Sequence, residues 1–114
     1  MKSENKIQKL LYDLGISPSL RGFKLICDAV DMLIKNNDEY TPVMDIYRYV
    51  ACKNNTTYIK AERNIRHALS KIDFEREITK ECSLKKNRTN GECLYVLALK
   101  IKEEGIGEPN ESIN

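Results

Sequence analysis

Two helix starts fall between residues 41 and 57, and no other feature narrows the possible fold as much. Thr41 can cap a helix, Pro42 suits the first helical position because its missing donor costs nothing there, and Asp45 in the first turn faces the positive end of the dipole. Val43, Ile46, Tyr47, Val50 and Ala51 then recur on one face. Beyond Lys53, Asn54 and Asn55 tolerate turn geometry, and Thr56 or Thr57 caps a fresh helix. Two helices joined by so short a polar turn must diverge sharply.

The second of these helices has two different faces. At 100° per residue, Ala61, Ile65, Ala68 and Ile72 share one narrow arc, which is the stripe that packs on a core. Ile59, Lys60, Arg63, Arg66, His67 and Ser70 occupy the opposite arc. Ile59 is the one apolar residue on that cationic side, close to the helix start.

The rest of the chain is also helical in pattern. Ile7, Leu10, Leu11 and Leu14 have helical spacing over 5–14, and Gly15 supplies a left-handed cap. Ser19 can cap a second, long helix whose stripe is Phe23, Ile26, Cys27, Val30, Leu33 and Ile34, broken at Asn36, Asn37 and Asp38. Phe74 and Ile78 indicate a fifth short helix or a return segment, and the basic stretch KKNRTNG at 85–91 reads as a loop. Thr89 and Glu92 have the form of a capping box, after which Leu94, Val96, Leu97, Leu99 and Ile101 continue into a final helix ending at Gly105. No alternating run clearly asks to be a strand, although LYVLALKI is apolar enough to leave that open.

Composition removes several classes of function. With 114 residues, 32% charged and 41% apolar, the chain matches a soluble domain with one modest core. The expected layout is one domain over 1–105 and a disordered acidic tail over 106–114. The opening MKSENKIQKLL lacks a signal peptide's apolar stretch, and the longest apolar run, Cys93 to Leu99, is far short of a membrane span, so a cytoplasmic location is expected. Cys27, Cys52, Cys82 and Cys93 are too widely spaced for a zinc knuckle or redox motif and read as buried free thiols. His67 is the sole histidine and cannot build a metal site alone. With no nucleophile and base at a recognisable spacing, the expectation is a protein without enzymatic activity, metal, cofactor or small-molecule substrate.

The net charge of +2 conceals a gradient. Residues 41–72 carry Arg48, Lys53, Lys60, Arg63, Arg66 and Lys71 against Asp45 and Glu62, a local charge of +4 that leaves −2 for the remainder. Concentrated positive charge points to a polyanion. A helix, a tight polar turn and a second helix with basic residues outward form a helix-turn-helix pattern, whose second helix enters the major groove of double-stranded DNA. Arginine can bond O6 and N7 of guanine in parallel, and glutamate can accept from N4 of cytosine. Arg63 with Glu62 would then read bases, while Lys60, Arg66 and His67 hold phosphates and the helix-start amides near Thr56 and Thr57 offer another phosphate site. Charge and spacing alone leave this reading level with a helix face that is charged only to be solvated.

The residues themselves go further. The stretch TTYIKAERNIRHALSK resembles the recognition-helix pattern of the C-terminal DNA-binding domain of the stage 0 sporulation protein A response-regulator family, in which two threonines precede a basic residue, then Glu-Arg, then Ile-Arg-His-Ala. The earlier LGISPSLRGFKLICDAV is similar to the same family at Leu14, Gly15, Ile16, Pro18, Gly22, Leu25 and Ala29. Together the two blocks extend the resemblance over most of residues 5–104.

The resemblance implies an all-α, compact six-helix domain with its helix-turn-helix at 42–70, acting in transcription regulation on tandem boxes of the TGTCGAA type. It places Glu62 and Arg63 at the base-reading pair and Lys60 near the DNA, with Arg66 and His67 also matching. Ile59 departs from the small polar residue expected there and could pack on a thymine methyl. Family members carry an N-terminal receiver domain, whereas few residues precede the matched region here, so an effector domain without phosphorylation in cis is expected. In isolation it should be monomeric or weakly self-associating, with a homodimer forming on tandem sites.

A rival reading is a protein-interaction module, a decoy paralogue that titrates a regulator through a surface including Ile59. Single-stranded nucleic acid or RNA fits less well, because aromatic residues are not interleaved with the basic ones.

Overall fold

The first helix, α1 (Lys2–Asp13), buries Ile7, Leu10 and Leu11, with Leu14 just beyond it, and stops where Gly15 adopts φ +103°. That turn is docked, since the Asp73 amide donates to the Leu14 carbonyl at 2.8 Å. In this computed structural model, which describes residues 2–36 and 40–106, the helices continue as α2 (Arg21–Lys35), α3 (Val43–Lys53), α4 (Tyr58–Leu69), α5 (Glu77–Glu81) and α6 (Asn90–Ile106). The architecture is six-helix and all-α, with no strand among the described residues. The expected tail lies outside the described residues except for Ile106, which ends α6.

The centre of the domain is α2, which packs against α1, α3, α4 and α6. Its stripe is wider than a surface helix requires: Leu25, Ile26, Ala29, Val30 and Leu33 are all buried. The closest approach is to α4. A Cβ added at Gly22 would lie 2.1 Å from the Asn64 carbonyl oxygen and 2.8 Å from Ala68 Cβ, so only glycine lets the two helix backbones meet there. The expected α4 stripe, Ala61, Ile65, Ala68 and Ile72, is buried throughout, although α4 ends at Leu69 and Ile72 lies in the segment beyond it.

Several local expectations are corrected. Ser19 does not cap α2: Leu20 is the N-cap residue, while the Ser19 amide donates to Ser17 Oγ at 3.2 Å in a turn of its own. Thr41 does not cap α3, whose N-cap is Pro42. The Thr41 hydroxyl accepts from Asn36 Nδ2 at 2.8 Å, its amide donates to the Tyr95 hydroxyl, and Tyr95 donates back to the Thr41 carbonyl at 3.1 Å. The hydroxyl a cap would use is engaged with Asn36 at the end of α2, while Tyr95 of α6 holds the Thr41 backbone. Leu99 is 56% exposed, because Leu94, Leu97, Ala98 and Ile101 form the inward stripe of α6 and Leu99 falls off it. Cys52 is exposed, whereas Cys27, Cys82 and Cys93 are buried thiols outside any disulfide. Burial pushes the Cys82 and Cys93 thiols above their ordinary pKa, which lowers their reactivity.

Other caps form as their sequences direct. Thr57 Oγ1 accepts from the Lys60 amide at 3.2 Å, and the Thr89–Glu92 box closes both ways, at 2.9 and 3.1 Å. The uncertain stretch after α4 is a turn followed by the five-residue α5, pinned by buried Thr79, whose hydroxyl donates to the Asp73 carbonyl at 2.7 Å.

Candidate nucleic-acid interface

The turn between α3 and α4 is built from the residues whose chemistry permits it. Asn55 sits in the left-handed region at φ +54°, where asparagine is among the few tolerated side chains. The Thr56 amide reaches back to the Ala51 carbonyl at 2.9 Å, satisfying a group left open at the end of α3, and the Asn54 side chain donates at 2.8 Å to the Val50 carbonyl, which also accepts from the Asn54 amide. Tyr47 of α3 meets Tyr58 of α4 edge-on, ring centroids 5.6 Å apart, and the Tyr47 hydroxyl accepts from Asn90 of α6 at 3.2 Å. Burial raises the Tyr47 pKa and so keeps the phenol neutral.

A residue that the sequence reading passed over ties this turn to the core. Asp28 of α2 is 8% exposed and accepts from Asn54 Nδ2 at 2.9 Å and from Lys24 Nζ at 3.0 Å, with Lys53 Nζ 3.6 Å away. Its signal was a charge set within the apolar run of α2, between Cys27 and Ala29. Asp28→Ala is expected to destabilise the domain by about 2 kcal/mol, mainly through the lost hydrogen bond to Asn54, since the lysine partners are solvated and contribute little. Urea denaturation of this variant beside Asp28→Asn, which keeps an acceptor and should lose less, checks the assignment.

The outer face of α4 is open. Ile59 is 64% exposed, and Lys60, Arg63, Arg66, His67 and Ser70 are exposed with it. Lys9, Lys24, Lys35, Lys53 and Arg76 each lie within 4 Å of a carboxylate, but the side chains of Lys60, Arg63 and His67 have no ion-pair or hydrogen-bond partner among the described residues. Glu62 and Arg66 are joined instead, Nε to carboxylate at 3.0 Å, so the acid is held on the same surface as the unpaired cations. At the start of α4 the Tyr58 and Ile59 amides donate to no group among the described residues, and Thr57 borders them. The Thr56 amide is engaged with Ala51, so only its side chain is left to face a ligand.

Beyond the far end of α4 the fold brings in residues that sequence reasoning left in a loop. Lys85, Lys86 and Arg88 line a recess of about 190 Å³ together with Arg66 and Ser70 of the α4 segment. A larger recess of about 650 Å³ lies between the start of α3 and α6, where Tyr40 stacks on Tyr95 with centroids 5.9 Å apart. No group of three or more potential metal-ligating side chains occurs among the described residues, and no helix there is long and apolar enough to cross a membrane.

A short bracing helix, a tight turn locked to the core and a second helix with an open cationic face make this a helix-turn-helix DNA-binding domain. The family described as the sporulation initiation factor Spo0A C terminal matches residues 7–101, and the chain belongs to it. This family is the DNA-binding effector domain of a sporulation regulator and is not an enzyme family.

Proposed function

We propose that this chain is a sequence-specific double-stranded DNA-binding regulator of transcription acting in the cytoplasm, with α4 lying in the major groove. The observation that carries the reading is the cationic arc of α4, where Lys60, Arg63 and His67 stand exposed on one face with no carboxylate partner among the described residues. Arg63 and Glu62 read base edges, and Ile59 packs on a thymine methyl. Lys60, Arg66 and His67 hold phosphates, as do Thr56, Thr57 and the free amides at the helix start. The Glu62–Arg66 pair orients both partners before contact. Two copies assemble on tandem sites.

Fluorescence-anisotropy titration with a duplex carrying two TGTCGAA-type boxes, beside a scrambled duplex at two salt concentrations, tests this. The expected result is preference for the boxes and a steep salt dependence. Lys60→Ala should weaken both duplexes alike and make the salt slope shallower by about one unit. A slope unchanged by that substitution removes Lys60 from the phosphate contacts.

The second reading, an interaction module that titrates a regulator, rests on Ile59, a large apolar side chain 64% exposed at the start of α4 on its cationic side. Weak binding without discrimination between the duplexes, together with a measurable protein partner, would favour it.

A further inference from the structure

The recess between the end of α4 and the loop after α5 is lined by Arg66, Lys85, Lys86 and Arg88 and by no carboxylate. Glu62 is paired with Arg66 itself, and Glu92 is taken up by the Thr89 amide in the capping box at the start of α6, which leaves the three loop cations without a carboxylate in the lining. Lys85 and Lys86 are exposed, and their side chains have no partner among the described residues. Arg88 is half-buried, and its Nε donates to the Ser83 carbonyl at 3.1 Å, which fixes the guanidinium while its terminal nitrogens stay available. The loop itself is constrained at both ends, by Ser83 at φ +63° and by the capping box. Three cations on a held loop, standing beside Arg66 of α4 with no carboxylate in the lining between them, make an arrangement that an anion relieves.

The occupant follows from continuity. Arg66 belongs both to this recess and to the open face of α4, so a ligand strand lying along that face runs directly into the lysines. The polar side chains that share the lining, Ser70 and Asn90, are already engaged with the His67 carbonyl and the Tyr47 hydroxyl, so the groups left to meet a ligand are cationic, which suits a phosphate backbone.

We propose that Lys85, Lys86 and Arg88 form a second phosphate-binding surface, which holds the DNA backbone flanking the segment read by α4 and adds affinity without sequence preference. This rests on the DNA-binding reading above. The test titrates wild-type protein and the Lys85→Ala/Lys86→Ala double variant with two box-bearing duplexes, one trimmed to the boxes and one extended by half a helical turn at each end. A scrambled extended duplex is included. Both lysines are exposed, and a matched thermal unfolding curve confirms that the variant folds.

The expected result is that wild type gains affinity on extension and the double variant loses that gain, by on the order of tenfold, with a salt slope shallower by about two units. Its preference for boxes over scrambled sequence should be unchanged. Equal dependence on duplex length and salt in the two proteins overturns the proposal. Failure of the main reading looks different: wild type would then not separate boxes from scrambled DNA, whatever the lysine variant does. A double variant that loses box preference along with affinity would also overturn the proposal, because it would make the lysines part of base reading.

Discussion

Gly22→Ala should destabilise the domain by about 3 kcal/mol and weaken DNA binding along with it. In an ordinary exposed helix position this substitution would stabilise by about 1 kcal/mol, because alanine is the better helix former. Here the sign is reversed by one contact. The new methyl would sit 2.1 Å from the Asn64 carbonyl oxygen, a backbone atom in the interior of α4 that no side-chain rotation can move. Either α4 shifts outward or its hydrogen bonding is disturbed, and both displace the helix that presents Lys60, Arg63 and Arg66. Urea denaturation should show a lower midpoint with little change in slope, since the unfolded chain gains only a methyl. Arg21→Ala, one position earlier and exposed, should be close to neutral. A Gly22→Ala midpoint equal to wild type would mean that the α2–α4 crossing is looser than the structure has it.

Arg63→Ala is expected to cost about 1 to 3 kcal/mol at the preferred site and to relax base preference at one position. Arg63 is exposed on the free arc of α4 and has no carboxylate partner, so its removal leaves no buried group unsatisfied and should leave stability near wild type. Stability and specificity are therefore separable at this residue. Arg66 provides the contrast. It is tied to Glu62 at 3.0 Å, so its truncation also frees an acid on the DNA-facing surface and mixes two effects. Titration of Arg63→Ala against a panel of single-base variants of the box distinguishes a reader from a phosphate contact. An equal loss on every sequence would take base reading away from Arg63.

Most of the helices were legible because their signals are local. The α4 stripe at Ala61, Ile65, Ala68 and Ile72 follows from a period of 3.6 residues, and Thr57, Gly15 and the Thr89–Glu92 box act on neighbours within four positions. The same periodicity placed Lys60, Arg63, Arg66 and His67 on one exposed arc. Where sequence reading missed, either a competing hydrogen bond or the phase of the buried stripe decided. Thr41 looked like a cap, but Asn36 engages its hydroxyl and Tyr95 on α6 its backbone. Leu99 looked like core, but Leu94, Leu97 and Ile101 define a stripe that leaves it outside.

The all-α class rested on the family resemblance, because LYVLALKI left a strand open, whereas the spacing of residues by itself determined the two-helix punctuation around Asn54 and Asn55 and which face of α4 is cationic. Each of these depends on residues a few positions apart, where backbone geometry alone sets the relation. Only the tertiary structure decided that Gly22 is the crossing point with α4, that Asp28 holds the turn through Asn54, and that Lys85, Lys86 and Arg88 stand beside Arg66. These join positions from about twenty to more than forty residues apart, and no local period carries that information. Packing of separate helices around one core sets such distances, and here α2 is the helix through which they are set.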